Sequence, residues 1–503
     1  MVEVVDSLRP ALVPLIAIIA ALLISITGEK HRNIREAWSL IASIIMFAIV
    51  LTMLPTILSG RVIEFAPNIF NIAKGISFVF RVDALGMFFV FLSTGLWIVT
   101  NFYSIGYMRH LNEPYQTRYF FAFAMCLAGA TGVALAGNLV TLFLFYEFLS
   151  LGAYPLVIHS ETDEAMKSGR KYLLYVLFGG ALVLGGMAMT YSLTGTLTLS
   201  QTGILAGTAS PAVLTLLFFV FIFGFGVKAG VMPFHAWLPA AMVAPTPVSG
   251  LLHAVAVVKA GAFGISRVVY NVYGVDLVKD LGLAYPLAII ASITILAGSI
   301  IALKQTNLKL RLAYSTISQL SYIVLGAGLA SFISPTAAIG GIVHIANQAV
   351  MKLTLFFVAG AIYVHTGKKY IYEMNGIGKK MPITMACFAL GAIGMVGAPP
   401  TAGFITKWFL ASGALEGGQL LFVVVLLGSA LLNAGYFFPI IYNAFLKEPD
   451  DGEKSFDEAP LIMLAPIVLL AILILILGIF PNAPYTPLRI AQVAASQFVA
   501  GGG

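Results

Sequence analysis

Apolar runs of about 20 residues recur from one end of this chain to the other, and that repetition limits the fold more than any other feature. About 20 apolar residues is the helix length that crosses roughly 30 Å of hydrocarbon. Composition agrees: 60% of the 503 residues are hydrophobic and only 10% are charged, with a mean hydropathy of +0.97. Soluble domains carry roughly 25% charged residues. A water-filled surface cannot absorb this much apolar sequence, so lipid must face much of it. The first run, from about Leu8, does not read as a cleaved leader.

The pattern predicts an all-α polytopic membrane protein with 14 spans, at approximately 8–27, 37–58, 78–104, 118–136, 138–158, 170–193, 211–230, 246–270, 280–303, 311–330, 334–364, 384–412, 419–445 and 460–481. Two are interrupted: the seventh by Pro233 and Pro239, the twelfth by Gly397, Pro399, Pro400 and Gly403. Proline removes a backbone donor and breaks a helix. Backbone freed in this way is tolerated in a membrane only inside protein or beside a watery cavity. Broken segments five spans apart predict two inverted five-helix repeats. The expected layout is helices 1–3 in 1–110, the first repeat (helices 4–8) in 111–275, the second (helices 9–13) in 276–446, and helix 14 with a tail in 447–503.

Charge sets the orientation. Seventeen loop cations fall on one side: Lys30, Arg32, Arg35, Arg109, Arg118, Lys167, Arg170, Lys171, Lys304, Lys309, Arg311, Lys368, Lys369, Lys379, Lys380, Lys447 and Lys454. Seven fall on the other: Arg9, Arg61, Lys74, Arg81, Arg267, Lys279 and Arg489. The positive-inside rule places the richer side in the cytoplasm and both termini outside the cytoplasmic membrane. The net charge of +7 is thus mostly a topology signal and gives no reason to expect nucleic acid. Cys126 and Cys387 lie far apart in separate spans, with no CxxC, so neither an iron–sulfur cluster nor structural zinc is expected in this chain. Glycines of GxGxxG spacing lie in apolar helices, and no Walker A loop is present, so ATP and NAD are not expected either.

Four cations remain, all within predicted spans: Lys228, Lys259, Lys352 and Lys407. One acid joins them at mid-span. Glu147 lies nine residues after Asn138, about 14 Å along the helix at 1.5 Å per residue. His253 and His344 also fall in spans. A single lysine can snorkel from a helix end, and a lone histidine is more often a hydrogen-bonded core residue. A charged lysine at the bilayer centre costs about 2.5–3.5 kcal/mol on the mildest scale, however, and intramembrane ionisable groups mark ion or proton paths.

The chemistry favours protons. Burial lowers a lysine pKa, and an opposing carboxylate raises it again. At an effective dielectric of 20, a pair at 4 Å interacts by about 4 kcal/mol, roughly three pKa units. A charge moved near Glu147 would therefore switch Lys228 between holding and releasing a proton. His344, Gln348 and Lys352 recur every fourth residue, one stripe about 12 Å long. A sodium site wants several oxygen ligands, and one mid-span carboxylate is a thin supply.

These residues sit in recognisable surroundings: FLFYEFLSLGAYPLV around Glu147, GVKAGVMPFHAWLPAAMVAPTPVSGLLHAVAVVKAG from Lys228 to Lys259, HIANQAVMKLTLF around Lys352, and GAPPTAGFITKW before Lys407. They resemble the antiporter-like subunits of respiratory complex I, a family that includes Mrp sodium/proton antiporter subunits and membrane-bound hydrogenase subunits. The resemblance implies Glu147 and Lys228 as the first-half pair. It also implies His253 and Lys259 as connecting groups, His344 and Lys352 as the second-half relay, and Lys407 as the exit lysine. Many members carry a histidine where Gln348 stands, and an amide cannot carry a proton as imidazole does. Lysine at 407 and the short tail lean toward the D-type subunit of an archaeal membrane-bound hydrogenase. That resemblance implies a proton-translocating subunit with no redox site of its own. Other membrane subunits would flank it, and iron–sulfur and nickel–iron centres would sit in peripheral redox partners. Membership of a stand-alone sodium/proton antiporter, or a scaffold role, are the alternatives.

Overall fold

A computed structural model describes residues 3–67, 71–73, 76–332, 335–449 and 456–499; Lys74 and Lys454 lie outside the described residues. The chain opens with α1 (Arg9–Thr27) and α2 (Arg32–Leu58), then α3 (Ala84–His110), α4 (Gln116–Ala134), α5 (Leu139–Val157), α6 (Asp163–Thr194) and α7 (Pro211–Ala229). A short α8 (Trp237–Ala240) follows α7. The next crossing, Thr246–Tyr273, is composite: α9 (Thr246–Gly250), a π-helical turn at Leu251–Val255, α10 (Val257–Arg267), and a second π-helical turn at Val268–Tyr273. After α11 (Val275–Asp280) come α12 (Ala284–Lys304), α13 (Leu308–Ala330) and α14 (Pro335–Thr366). The chain finishes with α15 (Ile377–Lys380), α16 (Pro382–Val396), α17 (Ala402–Glu416), α18 (Leu420–Leu446), α19 (Leu461–Ile479) and α20 (Pro487–Val499).

Thirteen of these stretches are long and apolar enough to cross a bilayer, among the described residues. The crossing expected at 384–412 is instead two 15-residue helices, α16 and α17, separated at Gly397–Thr401. Both breaks begin at a glycine in the left-handed region, Gly230 (φ 69°) and Gly397 (φ 88°). A side chain there would be strained, so each glycine ends its helix cleanly. Polar N-caps start several spans: Asn138 accepts from the Thr141 amide at 2.8 Å, and Asp83 from Gly86 at 2.7 Å.

The helices do not bury equally. Thr246–Tyr273 and α14 are wholly enclosed, whereas α1, α2, α6, α18 and α19 leave one face to lipid. α14 packs against α3, α13, α16, α17, α19 and α20, and α10 against α4, α5, α7 and α13. The two enclosed crossings thus form the axis of the molecule.

Three features were not expected from the sequence. Five short strands form outside the spans. β1 (Val4–Asp6) pairs parallel with β2 (Val62–Phe65), β2 pairs antiparallel with β5 (Phe80–Val82), and β3 (Asn71–Ala73) pairs with β4 (Ile76–Ser77). Strands of two to four residues are too short for alternation to register in sequence. The tail after α19 carries a 13-residue helix, α20, that folds back onto α3 and α14. Arg267, counted above as a loop cation, is buried in the last turn of α10 and paired with Asp83.

Candidate functional site

The buried polar groups lie along a line between the two helix breaks. Glu147 on α5 is half-buried at mid-helix. Gly180 of α6 makes room for it: a Cβ on that glycine would stand 2.5 Å from the Glu147 carboxylate oxygen. Lys228 is fully buried in the last turn of α7. Its ammonium sits 3.1 Å from the centroid of the Tyr146 ring and donates to the Tyr146 carbonyl. Among the described residues, the ion pairs do not include Lys228 with Glu147. The sequence reading took Glu147 and Lys228 as a pair; here the lysine instead contacts the preceding residue, through its carbonyl and its ring face. Trp237, past the break, donates to the freed Val227 carbonyl at 2.7 Å and pins the chain against the end of α7.

Lys259 and His253 occupy the enclosed crossing. Both are fully buried, and neither the Lys259 ammonium nor either His253 ring nitrogen has a protein hydrogen-bond partner. His253 sits in the first π-helical turn, with its ring centroid 4.9 Å from that of Phe356 on α14. Such turns expose backbone groups and recur at functional sites.

On α14, His344, Gln348 and Lys352 are all buried, on one stripe as the spacing predicts. The His344 ring stacks on Tyr322 of α13 at 5.1 Å. Both polar atoms of Gln348 are unpartnered in the protein. Lys352 is at no helix end and cannot snorkel; it donates to the Ser315 hydroxyl at 2.6 Å and the Leu312 carbonyl at 3.3 Å. Lys407, on α17, reaches back across the second break to donate to the Met395 and Val396 carbonyls that end α16. A cation suits a helix C-terminus both as donor and against the dipole. Gly397 leaves the space: a Cβ there would lie 2.5 Å from Lys407 Cδ.

The structure therefore buries five of the seven expected residues, Lys228, His253, Lys259, His344 and Lys352, and leaves Glu147 and Lys407 partly buried; the elements that carry them are neighbours, α10 against α5 and α7, and α14 against the first π-helical turn and α17. It adds Tyr146, Ser315, Tyr436 and Asn433, which the sequence reading missed. The chain has 20 tyrosines, and Ser, Asn and Tyr occur in many spans, so only the fold singles these out. Unpartnered buried atoms at Ser249, His253, Lys259, Gln319, Ser321 and Gln348 mark places where water, bound to two or more such groups, would satisfy them.

A cavity of about 650 Å³ opens beside this axis. Its lining includes Tyr107, Glu113, Thr246, Lys309, Tyr363 and Lys369. Burial raises the Glu113 carboxyl pKa, and the nearby Lys309 ammonium works against that rise. Thr246 begins the composite crossing that carries His253, but none of the seven expected residues is among those lining the cavity. At the far end of α10, Arg267 donates to both Asp83 oxygens, at 2.8 Å from Nη2, and to Asn271 at 3.0 Å. This satisfied pair ties α3 to the composite crossing.

A polytopic bundle with two broken helices and buried lysines and histidines in its enclosed crossings defines an integral membrane subunit with a polar interior. The family model described as NADH:quinone oxidoreductase/Mrp antiporter, TM, matches residues 136–433, and that of the NADH-ubiquinone oxidoreductase (complex I) chain 5 N-terminus matches residues 70–120. NADH-quinone oxidoreductase subunit N of Desulforudis audaxviator is 34% identical over 415 residues, covering 77% of this chain and 81% of that one. The Na(+)/H(+) antiporter A-subunit of Alkalihalophilus pseudofirmus is 30% identical over 496 residues; the match covers 92% of this chain but 60% of that longer one. Two solved structures share the fold, each at a TM-score of 0.86. One is an Mrp complex from Dietzia sp. (21% identity, covering 99% of this chain and 98% of the other). The other is the membrane-bound sulfane sulfur reductase, an archaeal respiratory membrane complex (25% identity, covering 98% of each chain). The chain belongs to the family of antiporter-like membrane subunits shared by NADH:quinone oxidoreductase and the Mrp antiporters.

Proposed function

We propose that this chain translocates protons along its buried axis, as a subunit of a redox-driven membrane complex. The observation that carries the reading is Lys259: a fully buried lysine with no hydrogen-bond partner, between two other sets of ionisable groups. Nothing in the packing gives a structural reason for that ammonium, and its cost is retained. Protons would enter through the cavity beside Thr246 or by Glu147 and Lys228, pass Lys259 with His253, and reach His344 and Lys352. Lys407 would release them. Water would complete the gap at Gln348.

Glu147 is half-buried at mid-span beside the exposed Leu144 and Leu151, with one carboxylate oxygen enclosed against α6. A carboxylate facing lipid is costly, so a neighbouring membrane subunit would cover it. The relatives are subunits of multi-subunit membrane complexes; redox partners with iron–sulfur and nickel–iron centres are part of the proposal, as are the D-type hydrogenase assignment, the two inverted repeats, the cytoplasmic membrane and the outside termini. The second reading, sodium/proton exchange without a redox driver, is favoured by the match to the antiporter A-subunit.

Mild-detergent purification from native membranes, with mass spectrometry of every co-purifying chain and flux assays in proteoliposomes, separates the two. Redox partners and donor-driven proton uptake are expected. Small membrane partners alone, with sodium-dependent flux and no electron donor, would establish the exchanger instead.

A further inference from the structure

One hydrogen-bonded thread on the axis needs no water. The Lys352 ammonium donates to Ser315 Oγ at 2.6 Å, and Ser315 Oγ lies 2.7 Å from the Tyr436 hydroxyl. Tyr436 donates to the Asn433 side-chain oxygen, and the Asn433 amide donates to the Met395 carbonyl at 2.9 Å. That carbonyl also accepts from Lys407 at 3.2 Å. Ser315, Asn433 and Tyr436 are each 0% exposed. Five elements, α13, α14, α16, α17 and α18, are joined by this thread.

Its chemistry is directional. An ammonium has donors only, a hydroxyl gives one hydrogen and accepts two, and an amide oxygen only accepts. While Lys352 is charged, Ser315 must accept from it and so points its own hydrogen at Tyr436, and Tyr436 points at Asn433. When Lys352 is a neutral amine it offers a lone pair. Ser315 can then turn to donate to it, Tyr436 turns to Ser315, and the Asn433 oxygen is released. A proton cannot pass onward through Asn433, because an amide does not relay one as a hydroxyl does. The thread therefore carries orientation and not protons. In a buried site such chains polarise one another.

We propose that Ser315, Tyr436 and Asn433 couple the protonation of Lys352 to that of Lys407 by reversing their hydrogen-bond direction, as positioning residues that act through the two lysines. Charging of Lys352 orients the Asn433 amide against Met395, so that this carbonyl accepts from Asn433 and Lys407 together. Discharge of Lys352 frees Asn433, and Lys407 holds that carbonyl alone. The two lysines are thus discouraged from acting out of turn. The backbone of Tyr436 is anchored independently of its hydroxyl, since Arg311 donates to its carbonyl at 2.9 Å.

This inference rests on the proton-transport reading, and the test keeps the two apart. Proton uptake is measured in native membrane vesicles, per assembled complex, for Ser315→Thr, Ser315→Val, Tyr436→Phe and the double variant Ser315→Val with Tyr436→Phe. Lys352→Ala and Lys407→Ala serve as references. Threonine and valine match in shape, so packing treats them alike. Loss of one neutral hydrogen bond corresponds to about fivefold to tenfold in rate. We expect Ser315→Val and Tyr436→Phe each to lose that much, Ser315→Thr to retain transport, and the double variant to be no worse than either single, as members of one chain are non-additive. Equal transport in the threonine and valine variants, with the lysine references inactive, overturns the thread alone. Undiminished transport in the lysine references overturns the thread and the transport reading together. If Tyr436→Phe fails to assemble, the threonine–valine pair decides.

Discussion

At the first helix break the lysine lies before the interruption; at the second it lies after. Lys228 ends α7 and donates across to α5, next to the half-buried Glu147. Lys407 begins in α17 and folds back to cap α16, where its acceptors are the Met395 and Val396 carbonyls. A carbonyl cannot change its charge, whereas a carboxylate can. The first lysine is therefore open to control by an event at Glu147, on a face that a neighbour would cover. The second is governed from inside, by Lys352, His344 and the thread through Asn433. On the proposed reading, coupling enters where the carboxylate is and leaves where it is absent.

The comparison can be broken most severely at its first member. Glu147→Gln removes the titrating group while preserving shape. With about 2 kcal/mol between charges about 8 Å apart at an effective dielectric of 20, driven proton uptake should fall by about thirtyfold or more, in complexes that still assemble on a native gel. Full uptake in Glu147→Gln would make the two halves equivalent.

A smaller effect is expected from making the second break resemble the first. Asn433→Asp places a carboxylate within reach of Lys407 and strips away the amide donor. It should hold Lys407 in its charged form and slow uptake by about tenfold. Unchanged uptake would mean that a carboxylate at a break has no part in setting the lysine.

The smallest effect on transport should come from a buried charge that is already satisfied. Asp83→Asn leaves Arg267 without its ion-pair partner, a change that typically costs about 3–5 kcal/mol when a buried pair is broken. The yield of folded complex and its thermal midpoint in detergent should drop, while uptake per assembled complex stays near wild type. A specific loss of uptake at normal stability would move this pair onto the route.

Much of this arrangement was legible in sequence. The spans follow from run length, the breaks from Pro233, Pro399 and Pro400 with Gly397, and the axis from the four lysines left over once loop cations were assigned. Arg267 was misassigned because its position near a predicted span end looks like a loop, and two π-helical turns that lengthen the crossing leave no periodic mark. The Lys228–Glu147 contact was misjudged because adjacency of Tyr146 and Glu147 does not say which one a lysine from another helix meets. Asn433 and Tyr436 lie one turn apart on α18, but Ser315 is 121 residues from Tyr436 in the chain, and only the fold brings its hydroxyl to them. The short strands and α20 escaped because neither has the length that makes periodicity visible.

Lys259 gives the most direct test of the axis, because function and stability should part there. Replacing a buried, unpartnered lysine by an apolar side chain of similar length relieves its desolvation. Lys259→Met should raise the thermal midpoint of the detergent-solubilised complex and abolish proton uptake in the same preparation. Uptake at the wild-type rate in that stabilised complex would contradict the account, since the two halves would then carry protons without the group that joins them.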